Sequence, residues 1–249
     1  MSEPIRLAKR LAQDLACSRS QAEQYIEGGW VSVDGVLVED PASRVAPEQS
    51  VQLAQNALAQ ELPPVTILLH KPAGLALAEV GGGFAELSRL LDAENRAASD
   101  NSGMRQLRKH RKGLKLGAGL DARTSGVVVL SQDWRVLRRL TEDARRIEQE
   151  YIVEVDQDLS APLLVLVERE AVARRLAGKI SRQSEKRLRF AMKASGSAAM
   201  GQGIGQEIAL ACEAAGLRAL ELRRIRIGRI ALAGVAPGQW RYLREDEFF

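Results

Sequence analysis

Apolar residues recur at helical spacing from the start of the chain: Leu7, Leu11, Ala12 and Leu15 predict a short amphipathic helix over Arg6 to Leu15. Ser18 is placed to cap a second helix that ends at Gly28-Gly29. The period then drops to two. Trp30-Val31-Ser32-Val33 and Val36-Leu37-Val38 flank Asp34-Gly35, a pair suited to a type I′ hairpin turn in which both central residues take positive φ. Val51-Gln52-Leu53 adds a third strand, and Ala54 to Pro64, rich in Ala and Gln and closed by Pro63-Pro64, reads as a linker. Beyond it, Val65 to Leu69 predicts a strand, and so does the alternation of Tyr151, Val153 and Val155. The unbroken run Val127-Val128-Val129-Leu130 predicts a strand buried on both faces. Gly81-Gly82-Gly83 and Ala194 to Gly205 read as loops. The pattern divides the chain into two units, 1–60 and 61–249.

A chain of 249 residues can hold one small domain and one medium one. No apolar run approaches the roughly eighteen residues of a membrane span, and Met1-Ser2-Glu3-Pro4 opens no secretory segment, so a cytoplasmic protein with no membrane contact is expected. Cys17 and Cys212 match neither a disulfide framework nor a zinc spacing and read as buried thiols. With His70 and His110 the only histidines, no metal site is expected. The net charge of +4 is unevenly spread: residues 1–60 carry five basic and eight acidic side chains, which leaves +7 for the rest. Arg105, Arg108, Lys109, Arg111 and Lys112 form one basic run, Arg135, Arg138, Arg139, Arg145 and Arg146 a second, and Arg223, Arg224, Arg226 and Arg229 a third. One such run is as often a solvated face as a binding surface. Several in one region point to a polyanion, because guanidinium groups match phosphate oxygens.

The chemistry centres on Leu120-Asp121-Ala122-Arg123-Thr124-Ser125-Gly126, which runs into the apolar strand and places one carboxylate in a turn at its mouth. Thr124 and Ser125 can brace that turn through their hydroxyls, and Gly126 permits close backbone approach or a bulge. Taken alone, the residue reads more readily as a turn aspartate accepting backbone N–H bonds, and the rest of the sequence shifts the reading.

Two longer patterns resemble known families. Arg6-Leu7-Ala8-Lys9, Cys17-Ser18-Arg19-Ser20-Gln21-Ala22, Tyr25-Ile26-Glu27-Gly28-Gly29 and Val31-Ser32-Val33-Asp34-Gly35 resemble the small αL RNA-binding domain first named for a small-subunit ribosomal protein. The resemblance implies phosphate contacts from Arg6, Lys9, Arg10, Arg19 and Arg44. The remainder resembles the catalytic domain of bacterial ribosomal-RNA pseudouridine synthases that carry such a module. The residues that carry this likeness are His70-Lys71-Pro72-Ala73-Gly74, the Asp121 turn, Tyr151-Ile152-Val153-Glu154-Val155, Leu222 to Gly228 and Pro237-Gly238-Gln239-Trp240-Arg241.

That likeness implies an α+β fold around a mixed, largely antiparallel sheet, and isomerisation of a uridine in ribosomal RNA without cofactor or metal. It implies Asp121 as the catalytic residue, Tyr151 stacked on the flipped base, and Lys71, Pro72, Arg123, Thr124 and Ser125 around the substrate. A monomer acting on structured RNA is expected, with further phosphate contacts from Arg108, Lys109 and Arg111. Reversing the charge of these three is expected to weaken binding more than reversing Arg6 and Lys9, whose unit is net negative. The chain departs from the family pattern in three places. Gly119 stands where an arginine precedes the Leu-Asp pair, Gln149 where a lysine precedes Tyr151 by two, and Gly203 to Glu213 lacks the arginines of the matching stretch. These departures keep a second reading open, a catalytically impaired relative that binds structured RNA without modifying it.

Overall fold

The computed structural model describes residues 3–75, 87, 89–193 and 203–249. Gly81-Gly82-Gly83 and most of the loop from Ala194 lie outside them. The described chain forms two compact units. One comprises Met1–Pro64 together with Arg105–Gly113, the other Val65–Met104 with Leu114–Phe249. No helix among the described residues is long and apolar enough to cross a membrane.

The first unit opens with strand β1 (Ile5–Arg6) and helix α1 (Leu7–Asp14), whose Leu7, Ala8 and Leu11 are buried. Helix α2 (Arg19–Glu27) starts in a capping box: Ser18 Oγ accepts from Gln21 N at 3.1 Å and Gln21 Oε1 accepts from Ser18 N at 3.0 Å. The hairpin follows as β2 (Val31–Val33) and β3 (Val36–Leu37), with φ of 51° at Asp34 and 81° at Gly35, as a type I′ turn requires. Strand β4 (Arg44–Val45) pairs β1, and β5 (Val51–Leu53) pairs β2. The basic segment Arg105–Gly113 belongs to this unit: Lys109 pairs with Glu27 at 2.6 Å, Arg108 with Asp40 at 2.9 Å, and Arg105 donates to Gly29 O at 2.9 Å. It brings five basic and no acidic side chains, so the unit carries ten basic against nine acidic groups rather than a net negative charge.

Among the described residues the second unit has nine strands: β6 (Thr66–Lys71), β7 (Lys115–Ala118), β8 (Ser125–Ser131), β9 (Glu148–Val155), β10 (Gly178–Ser184), β11 (Arg187–Lys193), β12 (Ala219–Ile227), β13 (Ile230–Ala231) and β14 (Trp240–Tyr242). Their order is β10-β11-β9-β12-β8-β6-β14, with β7 on β8 and β13 on β12. Among the strand pairs of the described residues only β8·β12 is parallel, so the fold is α+β with a mixed, mostly antiparallel sheet.

Burial explains the apolar runs. Successive side chains of a strand point to opposite faces, and each face here has its own cover. Val128 and Leu130 join a core with Ile67, Leu69, Val153 and residues of helices α4 (Ala161–Ala173) and α5 (Ile204–Ala214). Val127 and Val129 join a second core with Leu68, Ile227 and Leu140 of helix α3 (Trp134–Thr141). Ile204 and Gly205, expected in a loop, begin α5 instead. Gly203 takes φ of 86° at its N-cap, and the apolar side chains that follow it are buried. At the parallel seam, Gly126 has φ of 117°, and a Cβ there would lie 2.2 Å from the carbonyl oxygen of Arg224. Glycine at this position is a condition for β8 and β12 to meet.

Candidate active site

Asp121 follows β7 and precedes β8, half-buried at the mouth of the parallel seam. Its carboxylate accepts from Thr124 N at 2.8 Å and from Thr124 Oγ1 at 2.9 and 2.8 Å. Thr124 is buried, so the turn is braced from within, as its hydroxyl implied. Ser125 does not take part: its Oγ donates to Leu222 O at 3.2 Å and ties β8 to β12.

Asp121 opens on a cavity of about 340 Å³, within the range of small-molecule sites. Ala122, Arg123 and Thr124 line one side of it, and Gly205, Gln206, Ala209, Leu210 and Glu213 of α5 the other, with Leu220 and Leu222 on β12. Gly205 lets the helix come this near. A Cβ there would meet Thr124 Oγ1 at 2.0 Å and Asp121 Oδ2 at 2.7 Å. The first turn of α5 thereby lies against the carboxylate. The stretch without arginines is this wall, and among its described lining residues none is a cation.

Neither Arg123 nor Arg226 is a hydrogen-bond partner of Asp121. Arg123 is exposed at the cavity wall, and Arg226 is paired with Glu150 at 2.5 Å and with Glu148. Lys71 and Arg224, both fully buried, each lie within electrostatic reach of Asp121. Lys71 is no exposed turn residue. Its Nζ donates to Pro72 O at 3.0 Å, Leu75 O at 2.7 Å and Ala122 O at 3.3 Å, while Gly74 N donates to Ala122 O at 2.7 Å. The Lys71-Pro72 loop is thus stitched to the residue beside Asp121. Burial lowers the Lys71 ammonium from its ordinary 10.5 to about 8, against the opposing pull of Asp121.

A titration consequence follows. Between pH 8 and 10.5 the unfolded chain binds more protons at Lys71 than the folded one, so this residue's contribution to stability rises with pH through that window. The unfolding free energy of wild type, taken relative to Lys71→Met, is expected to increase by about 3 kcal/mol between pH 7 and 10.5, in the stabilising direction. Urea titrations at several pH values measure it, and a pH-independent difference contradicts it.

Tyr151 is placed differently from the expectation of a ring offered to the base. It is fully buried on β9 within the core under α4 and α5, is not among the cavity-lining residues, and donates its hydroxyl to Gln149 Oε1 at 2.9 Å. Pro72 is half-buried in the loop that Lys71 anchors. Sequence reasoning missed the α5 wall and the burial of Arg224, since neither has a local signal.

In the first unit Arg6, Lys9 and Arg19 line one concavity with Ala12, Gln13 and Cys17. Cys17 is half-buried there rather than buried. Arg10 turns instead to Asp14 at 2.8 Å, and Arg44 donates to Pro4 O at 3.1 Å. Arg108 and Lys109, expected to meet phosphate, hold Asp40 and Glu27 of their own unit, and Arg111 lies in the same 3-10 turn, Arg108–Arg111.

Comparison with known proteins finds two domain models along the chain, the second of which spans the segment Arg105–Gly113 that packs in the first unit. Residues 5–51 match the S4 domain model and residues 65–204 the model of RNA pseudouridylate synthase. The chain is 27% identical over 250 residues to ribosomal small subunit pseudouridine synthase A of Salmonella typhimurium, covering 98% of each chain. It is 27% identical to an uncharacterized RNA pseudouridine synthase of Aquifex aeolicus, covering 98% of this chain and 94% of that one. With the dual-specificity RNA pseudouridine synthase RluF of Escherichia coli the identity is 25%, covering 98% and 77%. A crystal structure of a pseudouridylate synthase shares the fold, with a TM-score of 0.54 over 97% of this chain and 96% of that one, at 17% identity.

Proposed function

Because the chain belongs to the RNA pseudouridylate synthase family, we propose that it isomerises a uridine of ribosomal RNA to pseudouridine with Asp121 as the catalytic residue. The observation that carries this reading is a carboxylate fixed by Thr124 at the wall of a cavity large enough for a nucleoside. In the reaction the bond from ribose C1′ to base N1 breaks, the base turns, and C1′ joins C5. The C5 hydrogen leaves as a proton and N1 gains one, so atoms and electrons balance within the nucleotide and solvent. The carboxylate acts either on a carbon or on a ribose proton, and both roles require an ionised group in register with the flipped nucleotide. The first turn of α5 lies against that carboxylate, and the buried Lys71 and Arg224 lie within its electrostatic reach. Tyr151 supports the site from beneath, through Gln149, rather than by stacking on the base. Deleting the gene is expected to remove pseudouridine from specific ribosomal RNA positions, with return on complementation by wild type but not by Asp121→Asn. Unchanged pseudouridine in the deletion strain contradicts the reading.

The RNA surface of the first unit is the concavity of Arg6, Lys9 and Arg19. Affinity for structured ribosomal RNA is expected to fall steeply with salt, as counterions are released. Reversing Arg6 and Lys9 together is expected to weaken binding by about tenfold or more at low salt. Reversing Arg108 and Lys109 is expected chiefly to lower the unfolding temperature, since it sets like charges against Asp40 and Glu27. Filter-binding and melting curves on the two double variants check this ranking, and equal losses of affinity at equal stability contradict it.

A further inference from the structure

Arg224 lies on β12, the strand between β9 and β8, and no part of it is exposed. A guanidinium stays charged at any physiological pH, so burial on this scale demands acceptors for its donors and a counter-charge within reach. Its hydrogen-bond acceptors are neutral oxygens, the Tyr151 hydroxyl among them. Nε and Nη2 donate to Val127 O at 2.9 and 2.6 Å, Nη2 also to Ala118 O at 3.0 Å, and Nη1 to Gln149 Oε1 at 3.0 Å. The placement of these acceptors matters. Ala118 ends the strand that leads into the Asp121 turn, and Val127 lies on the strand that leaves it. One planar group therefore clasps both stems of the catalytic turn from behind. Burial draws the guanidinium below the usual arginine range, opposed first by the neighbouring Tyr151 and then, more weakly, by the charge of Asp121. On the opposite side, the described lining residues of α5 offer Asp121 no cationic side chain.

We propose that Arg224 is a positioning residue for Asp121: it fixes the two strands that carry the turn and supplies, through the protein, the positive potential that holds the carboxylate ready. The proposal rests on the isomerase reading. It separates charge from hydrogen bonding, because Arg224→Lys keeps the cation with a different donor geometry, while Arg224→Gln keeps a donor amide and loses the cation.

The test measures single-turnover isomerisation at saturating unmodified ribosomal RNA, RNA affinity and unfolding temperature for the full-length wild type and both variants. Positioning by charge predicts a rate about two- to tenfold below wild type for Arg224→Lys and at least about a hundredfold below for Arg224→Gln, with affinity unchanged in both. Equal rates in the two variants, or rates that follow their unfolding temperatures, overturn the proposal. If Arg224→Gln does not fold, Arg224→Lys decides alone: a lowered saturating rate at unchanged affinity supports the proposal, and a wild-type rate overturns it. An inactive wild type removes the isomerase reading and this inference with it, an outcome distinct from active wild type with active variants.

Discussion

Asp121→Asn is expected to reduce isomerisation by about 10⁴-fold or more while leaving RNA affinity within about twofold of wild type. The two side chains have nearly the same shape, and Thr124 N and Oγ1 can still donate to an amide oxygen, so the turn persists. What is lost is the negative charge, the property that either family mechanism uses. Release of the C5 hydrogen from labelled RNA reads the rate, and filter binding reads the affinity. A variant that retains a tenth of the activity would move catalysis away from this residue.

The largest effect on stability is expected at Gly126. A Cβ at that position would lie 2.2 Å from Arg224 O and 2.6 Å from Arg224 N, with φ at 117°, a conformation that disfavours any side chain. Those neighbours are backbone and cannot rotate away. The strands would have to part along the register Ser125 to Arg223 and Gly126 to Arg224, which is the parallel seam beneath the Asp121 turn. Gly126→Ala should therefore cost about 4 kcal/mol or more and lower the unfolding temperature by about 10 °C. Calorimetry of purified protein measures it, and a variant that melts within about 2 °C of wild type would show that the seam relaxes easily.

These two positions illustrate what a single chain displays. The Asp121 turn, the buried run after it, the Asp34-Gly35 hairpin and the Ser18 cap are encoded by neighbours in sequence, and each is legible because the period of burial or the turn chemistry is local. Lys71 and Arg224 are not legible in that way. A lysine after a strand and an arginine within one read as surface charge until the fold supplies the carbonyls of Ala122, Ala118 and Val127, which are 51, 106 and 97 residues away. The same reason explains Arg108 and Lys109. Their run looks like a phosphate-binding arm, but its acceptors Asp40 and Glu27 lie far back in the chain, and their pairing gives the first unit its basic balance. Tyr151 reads as a base-stacking aromatic by its register, yet α4 and α5 cover the face it points to. The wall opposite Asp121 depends on Gly205, whose missing side chain is a signal only once Thr124 is known to lie against it.

The central claim is that a carboxylate held by Thr124, facing a helix N-terminus and backed by two buried cations, isomerises uridine although no arginine side chain hydrogen-bonds to it. The most direct measurement is release of the C5 hydrogen from uridine-labelled ribosomal RNA lacking its modifications, offered free and in assembly intermediates of both ribosomal subunits, by wild type and Asp121→Asn at matched occupancy. The account predicts release by wild type, stoichiometric with one or a few uridines, and none by Asp121→Asn. Tight binding of the same RNA by wild type with no release from any of these substrates would contradict it.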